Sequence, residues 1–129
     1  MRHAFVLSQK TFTKAFKDED ITSLQYGALD LVSFNPGVGH KALATALSMA
    51  PSVLTTALKP LLASGKITNE PRPGDRRQSA YHLSEAAKTW FRPLKRRLRK
   101  ADTSLTAGLS AAEADRLKKA LLALTGRIA

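Results

Sequence analysis

The chain has 129 residues, 43% of them hydrophobic, which is the length of one domain with enough apolar content for a modest core. It contains no cysteine, so disulfides, thiolate zinc sites and thiol redox switching are excluded. The formal charge of +11 and a pI near 10.5 call for a polyanionic partner, with nucleic acid the first candidate and an anionic membrane surface the second.

The cations are unevenly placed. Residues 1–65 hold six Lys/Arg against four Asp/Glu, and residues 66–129 hold fifteen against six. No apolar run approaches the roughly 20 residues of a membrane helix, and the first ten residues lack the apolar stretch of a secretory signal, so a cytoplasmic chain is expected.

Residues 4–17 carry Phe5, Val6, Phe12 and Phe16 at helical spacing and predict a first helix, broken by Asp18, Glu19 and Asp20. Thr22 is placed to cap a second helix with Leu24, Ala28, Leu31 and Val32 on one face. Asn35-Pro36-Gly37 ends it. A short third helix over Gly39 to Leu47 turns Leu43, Ala44 and Leu47 inward, and Ser48-Met49-Ala50 makes a turn.

A fourth helix starts at Pro51, where a missing N–H costs nothing. Its apolar face is Val53, Leu54, Ala57, Leu58, Leu61 and Leu62, and Gly65 closes it. Pro60 sits in its interior and predicts a kink or a register shift. Two short helices joined by a tight turn are a helix-turn-helix pattern.

The segment Ile67 to Ser84, ITNEPRPGDRRQSAYHLS, predicts a β-hairpin. Pro71, Pro73 and Gly74 punctuate its turn, and Ser79 to Leu83 alternates like a strand. Arg72, Arg76 and Arg77 gather at or near the tip. Guanidinium groups on a protruding turn suit a phosphate-lined groove, whereas a solvated loop is the plain alternative.

Ser84 can cap a long helix to about Lys100, with Ala87, Trp90, Phe91, Leu94 and Leu98 at helical intervals. The basic run of Lys88, Arg92, Lys95, Arg96, Arg97, Arg99 and Lys100 is read mostly as a solvated face. Thr103 to Gly108 loosens the pattern. Ser110-Ala-Ala-Glu113 is a capping box before a last helix showing Ala114, Leu117, Leu121 and Leu124.

This order of elements is the winged helix-turn-helix plan: a mainly α fold with a β-hairpin wing between N- and C-terminal helices. The segment Ile21 to Ala87 resembles the MarR family of transcriptional regulators. ITSLQYGAL is similar to the family's LTxxQ opening of the second helix, and HKALATALSM to its xKELAexL third helix. PSVLTTALKPLLASGKI resembles the recognition helix, STVTRLVDRLExxGLI, and PGDRRQSAYHLSEAA the wing, DxxDRRxxxxxLTxxG. Departures are Thr56, where the family often has arginine, Pro60 inside the recognition helix, Asn69 in the first wing strand, and Ala87 in place of a glycine.

The resemblance implies a single domain, with residues 22–84 as a DNA-binding lobe and residues 1–20 and 85–129 as dimerisation helices. It implies a homodimeric, sequence-specific repressor on a pseudo-palindromic operator of double-stranded DNA, released by a small aromatic or lipophilic effector. Ser52, Thr55, Thr56 and Lys59 would meet the major groove, with helix capping and back-bonding as the alternative roles of the hydroxyls. His40 and Lys41 open the third helix, where a phosphate contact and simple exposure weigh equally for His40. Arg72, Arg76 and Arg77 would reach the minor groove, with Asp75 orienting a wing arginine.

Phe12, Phe16, Tyr26, Phe34 and Trp90 are candidates to line an effector pocket, with ordinary packing favoured. The alternatives to a repressor are a non-specific architectural DNA- or RNA-binding protein, or a protein-interaction module that lost DNA binding. No phosphate loop, nucleophile elbow, carboxylate pair or metal spacing of His3, His40 and His82 is present, so no enzyme activity, metal or cofactor is expected.

Overall fold

The computed structural model describes residues 2–71, 73–75 and 77–124. The elements run α1 (Arg2–Ala15), α2 (Ser23–Phe34), α3 (His40–Ala46), α4 (Pro51–Ala63), β1 (Ile67–Asn69), β2 (Tyr81–Leu83), α5 (Glu85–Leu105) and α6 (Ala111–Leu124). They divide into two compact units. Asp18–Leu94 is one; Met1–Lys17 with Lys95–Ala129 is the other. The first unit thus takes in the opening turns of α5, because Ala87, Phe91 and Leu94 are buried there and Phe91 packs on Tyr26 with ring centroids 5.0 Å apart.

In the Asp18–Leu94 unit, α2 begins with a reciprocal capping box. The Gln25 N–H donates to Thr22 Oγ1 (3.1 Å), and the Thr22 N–H donates to Gln25 Oε1 (2.9 Å). The residues α2 buries are Tyr26, Ala28, Leu29 and Val32. The expected face of Leu24, Ala28, Leu31 and Val32 is therefore corrected: Leu24 and Leu31 are only half-buried. Tyr26 and Leu29 turn inward because α2 packs against α3, α4 and β2, on more than one side.

The chain bends by 104° between α3 and α4, within the range of a helix-turn-helix. The bend includes Ser48, whose φ of +54° is left-handed. α4 buries Leu54, Leu58 and Leu61. Val53 and Leu62 are corrected to exposed positions, Val53 at 49%. They flank the central stripe that faces α2, α3 and β1.

α4 passes through Pro60 without the expected shift of register. The buried spacing 54, 58, 61 stays helical, and the Ser64 N–H donates to the Pro60 carbonyl (3.0 Å). The helix ends in a Schellman motif around Gly65, whose φ is +74°. The Gly65 N–H reaches the Leu62 carbonyl and the Lys66 N–H the Leu61 carbonyl.

β1 and β2 pair antiparallel with Ile67 opposite Leu83 and Asn69 opposite Tyr81. The regular second strand is Tyr81–Leu83, shorter than the expected run from Ser79. The loop after α2 adds a bridge that sequence reading missed. The Gly37 N–H donates to the Tyr81 carbonyl (2.8 Å), and the Tyr81 N–H to the Val38 carbonyl (2.9 Å). Ile67, Tyr81 and Leu83 face the core.

In the other unit, Phe12 and Phe16 are buried and their rings lie 4.6 Å apart. α5 extends to Leu105, beyond the expected end near Lys100. Thr103 and Thr106 return their hydroxyls to the Arg99 and Asp102 carbonyls, which is compatible with helix. α6 opens with the expected capping box between Ser110 and Glu113. It buries no residue, and Leu117, Leu121 and Leu124 remain exposed.

Candidate nucleic-acid interface

The candidate interface is built from three pieces of the Asp18–Leu94 unit: the start of α3, the outer side of α4 and the hairpin tip. Helical geometry sets the outer side of α4. With Leu54, Leu58 and Leu61 inward, Ser52, Thr56 and Lys59 lie opposite, and all three are exposed. Thr55 is exposed at the flank. Its hydroxyl donates to the Pro51 carbonyl (3.0 Å), and the Thr56 hydroxyl donates to the Ser52 carbonyl (3.3 Å). Lys59 is the single charged residue of α4.

His40 is half-buried and both its ring nitrogens are engaged. Nε2 lies 2.8 Å from the Pro51 carbonyl and 3.2 Å from Thr55 Oγ1, and Nδ1 lies 2.8 Å from the Tyr81 hydroxyl. A carbonyl only accepts, so Nε2 carries the proton. In the neutral ring Nδ1 then accepts from Tyr81. The imidazole therefore braces the first turn of α4 against β2. Lys41, beside it, is exposed.

Tyr81 is the participant that sequence reading missed. Its signal was available: a tyrosine at an inward strand position needs a partner for its hydroxyl.

Gln25 does a second job. Besides capping α2, its Nε2 donates to the Ala57 carbonyl (3.1 Å), tying the start of α2 to the middle of α4. Asn69 closes the base of the hairpin by accepting the Ala80 N–H at Oδ1 (2.9 Å).

At the tip, Asp75 Oδ1 accepts the Arg77 backbone N–H (3.3 Å), an Asx turn beside Gly74 at φ +94°. Asp75 thus shapes the turn through the main chain of Arg77. Arg77 is exposed. Arg72 and Arg76 lie outside the described residues.

The five aromatic candidates for a pocket are divided between the two units. Phe12 and Phe16 stack on each other in one unit. In the other, Tyr26 packs on Phe91, Trp90 lies under the Lys66 ammonium (4.8 Å), and Phe34 is 73% exposed at the end of α2. A groove of about 580 Å³ runs instead between α1 and the second half of α5, lined by Leu7, Thr11, Lys14, Arg97, Lys100 and Leu105 among others. Among the described residues no cluster of His, Cys, Asp and Glu could hold a metal ion, and no single helix is long and apolar enough to cross a membrane.

A model of the MarR family matches residues 21–79. Over those residues this winged helix-turn-helix is similar to the MarR family of regulators. The match runs from the residue before Thr22 through α2, α3, α4 and the hairpin tip, so it covers every piece of the interface. The chain is also 28% identical over 95 residues to a Thauera aromatica protein described as a "putative transcriptional regulatory protein for hcr operon". That alignment takes in 74% of this chain and 57% of the relative, so the chain spans little more than half of the relative's length.

Solved structures that share the fold include two complexes. The transcriptional repressor CouR bound to a 23-mer DNA duplex aligns with a TM-score of 0.90 at 21% identity, over 97% of this chain and 89% of that one. A Mycobacterium tuberculosis MarR-family protein in complex with p-aminosalicylic acid aligns at 0.76 and 20% identity, over 97% and 95%.

Proposed function

We propose that this protein is a sequence-specific DNA-binding transcriptional regulator of the MarR family, working as a homodimer that represses from a pseudo-palindromic operator. The observation that carries the reading is the exposed polar side of α4, held by His40 and Gln25 beside a hairpin tip rich in arginine, on a chain of charge +11. α4 enters the major groove. The wing, with Arg72, Arg76 and Arg77, lies along the adjoining minor groove, and Lys41 and Lys59 meet phosphates. CouR, with the same fold, is a repressor bound to duplex DNA, which supports this assignment.

The exposed leucines of α6 and the exposed Phe5 and Leu7 of α1 supply an apolar surface for a second copy. Two copies place two α4 helices about one DNA turn apart. The groove between α1 and α5 is the candidate effector site. Its size suits a small ligand, Leu7 and Leu105 offer apolar contact, and Lys14, Arg97 and Lys100 offer charge to an aromatic or lipophilic acid. A relative of the same fold that holds p-aminosalicylic acid is consistent with this.

Selection from a random duplex library with the purified protein tests the function: one enriched pseudo-palindrome is expected. Uniform binding without enrichment would instead support the architectural alternative, to which Thr56 in place of arginine lends its one specific argument. Changing Arg76 and Arg77 together to alanine is expected to weaken operator binding at least tenfold with the fold intact by circular dichroism, and unchanged binding would remove the wing from the interface.

A further inference from the structure

At Thr55 and Thr56, α4 shows the DNA a chemically one-sided surface. The Thr55 hydroxyl proton is spent on the Pro51 carbonyl, and the Thr56 proton on the Ser52 carbonyl. Each oxygen keeps lone pairs, so what Thr55 and Thr56 offer outward is a hydrogen-bond acceptor and a γ-methyl group. His40 reinforces this at Thr55: its Nε2–H points at both the Pro51 carbonyl and Thr55 Oγ1, holding the hydroxyl in the orientation that turns its proton inward. Val53, 49% exposed, adds two methyl groups to the same stretch. No arginine stands anywhere on α4, and the one lysine, Lys59, comes a turn later.

Acceptors do not bind acceptors. Phosphate oxygens and the O6 and N7 edge of guanine present only lone pairs in the major groove. The groups that answer a lone acceptor are the exocyclic amines, N6 of adenine and N4 of cytosine. The group that answers a cluster of methyls is the C5-methyl of thymine. Only an A·T pair offers both at once.

We infer that Thr55 and Thr56, with Val53 beside Thr56 and His40 as the positioning residue behind Thr55, read A·T pairs in the major groove at the centre of each half-site. This inference rests on the proposed DNA-reading function and adds to it the identity of the base pairs read. A contact to guanine from this helix falls to Lys59 or to the Ser52 hydroxyl.

The test starts from duplexes selected with the full-length protein. In the selected sequence, adenine at the major-groove positions under α4 is replaced by purine, which lacks the N6 amine, and thymine by uracil, which lacks the methyl. A·T pairs are expected at those positions, and each replacement is expected to weaken binding by about five- to tenfold, the scale of one hydrogen bond or one buried methyl group.

Thr55→Val and Thr56→Val keep shape and methyl groups and remove the acceptor. These variants are expected to become indifferent to the loss of the amine while staying sensitive to the loss of the methyl, which also shows that the helix still docks. The salt dependence of their binding should match that of the unaltered protein. G·C pairs at those positions, or valine variants that discriminate adenine from purine as well as the unaltered protein does, would overturn the inference while leaving DNA recognition standing. Enrichment of no sequence at all would overturn both.

Discussion

At the residue scale, one imidazole carries an unusual share of the organisation. His40 joins α3, α4 and β2 through the Pro51 carbonyl, Thr55 and the Tyr81 hydroxyl. Tyr81 is buried, and its hydroxyl loses the His40 Nδ1 acceptor at 2.8 Å if the ring is removed. His40→Ala is therefore expected to destabilise the fold by about 2 kcal/mol, because it strands a buried donor as well as losing a bond. Tyr81→Phe removes the donor itself and should cost less. Denaturant unfolding of both variants and their double mutant measures the coupling, and additive effects would show that the two side chains do not depend on each other. A lysine or arginine at position 40 would put a cation at the start of α3 but lose the brace. If the site needed only charge there, such a variant would bind DNA normally.

At the element scale, the helix ends are set by short-range chemistry, and α4 carries a local fault. Pro60 supplies no N–H to the Thr56 carbonyl and sits in the interior of a 13-residue helix. Its exposed position means the ring adds little packing. Pro60→Ala is expected to raise stability by about 1–3 kcal/mol, read as a higher denaturant midpoint with unchanged m; a lower midpoint would mean that the proline serves the packing of the helix after all. Conversely, Gly65→Ala would place a side chain on a left-handed φ of +74° with open space around it. The cost is conformational, about 1 kcal/mol.

The cap of α6 adds a dependence on pH. Glu113 is held below the usual carboxylate range by the Ser110 N–H and then by the Ser110 hydroxyl. A depressed acid stabilises the folded state above its unfolded value and loses that contribution as pH falls through the folded one. Helix signal from α6 should therefore fade in acid below the ordinary glutamate range, and Glu113→Gln, which keeps the hydrogen bond, should flatten that part of the curve.

At the scale of the whole molecule, charge dominates. Twenty-one cations against ten acids give long-range attraction to a polyanion whatever its sequence. Binding to duplex DNA is expected to fall steeply with salt, with a log–log slope of about −0.9 for each phosphate neutralised. Arg77→Ala should make that slope shallower by about one phosphate. A flat dependence on salt would contradict the electrostatic part of the function. The exposed leucines of α6 lead to a second expectation, a sedimenting species of twice the 14.0 kDa chain mass. Leu121→Glu should shift it toward the monomer, and a monomer in both cases would leave those leucines without a partner copy.

The sequence by itself determined what depends on neighbours along the chain or on composition alone. The cap at Thr22, the proline start at Pro51, the Gly65 stop, the Ser110–Glu113 box and the arginine-rich turn are all local chemistry, legible because each residue acts within a few positions of itself. The net charge needs no structure at all. Tertiary contact decided the rest. It chose Tyr26 and Leu29 as inward residues of α2, because three elements pack on that helix and periodicity names one face only. It left Val53 and Leu62 exposed on α4, outside the arc that faces α2, α3 and β1. It also set the Val38 bridge to Tyr81. Above all it brought His40 to Tyr81, forty-one residues away along the chain. A side chain's partner at such separation is set by how helices and strand pack in space, and no spacing in the sequence encodes it.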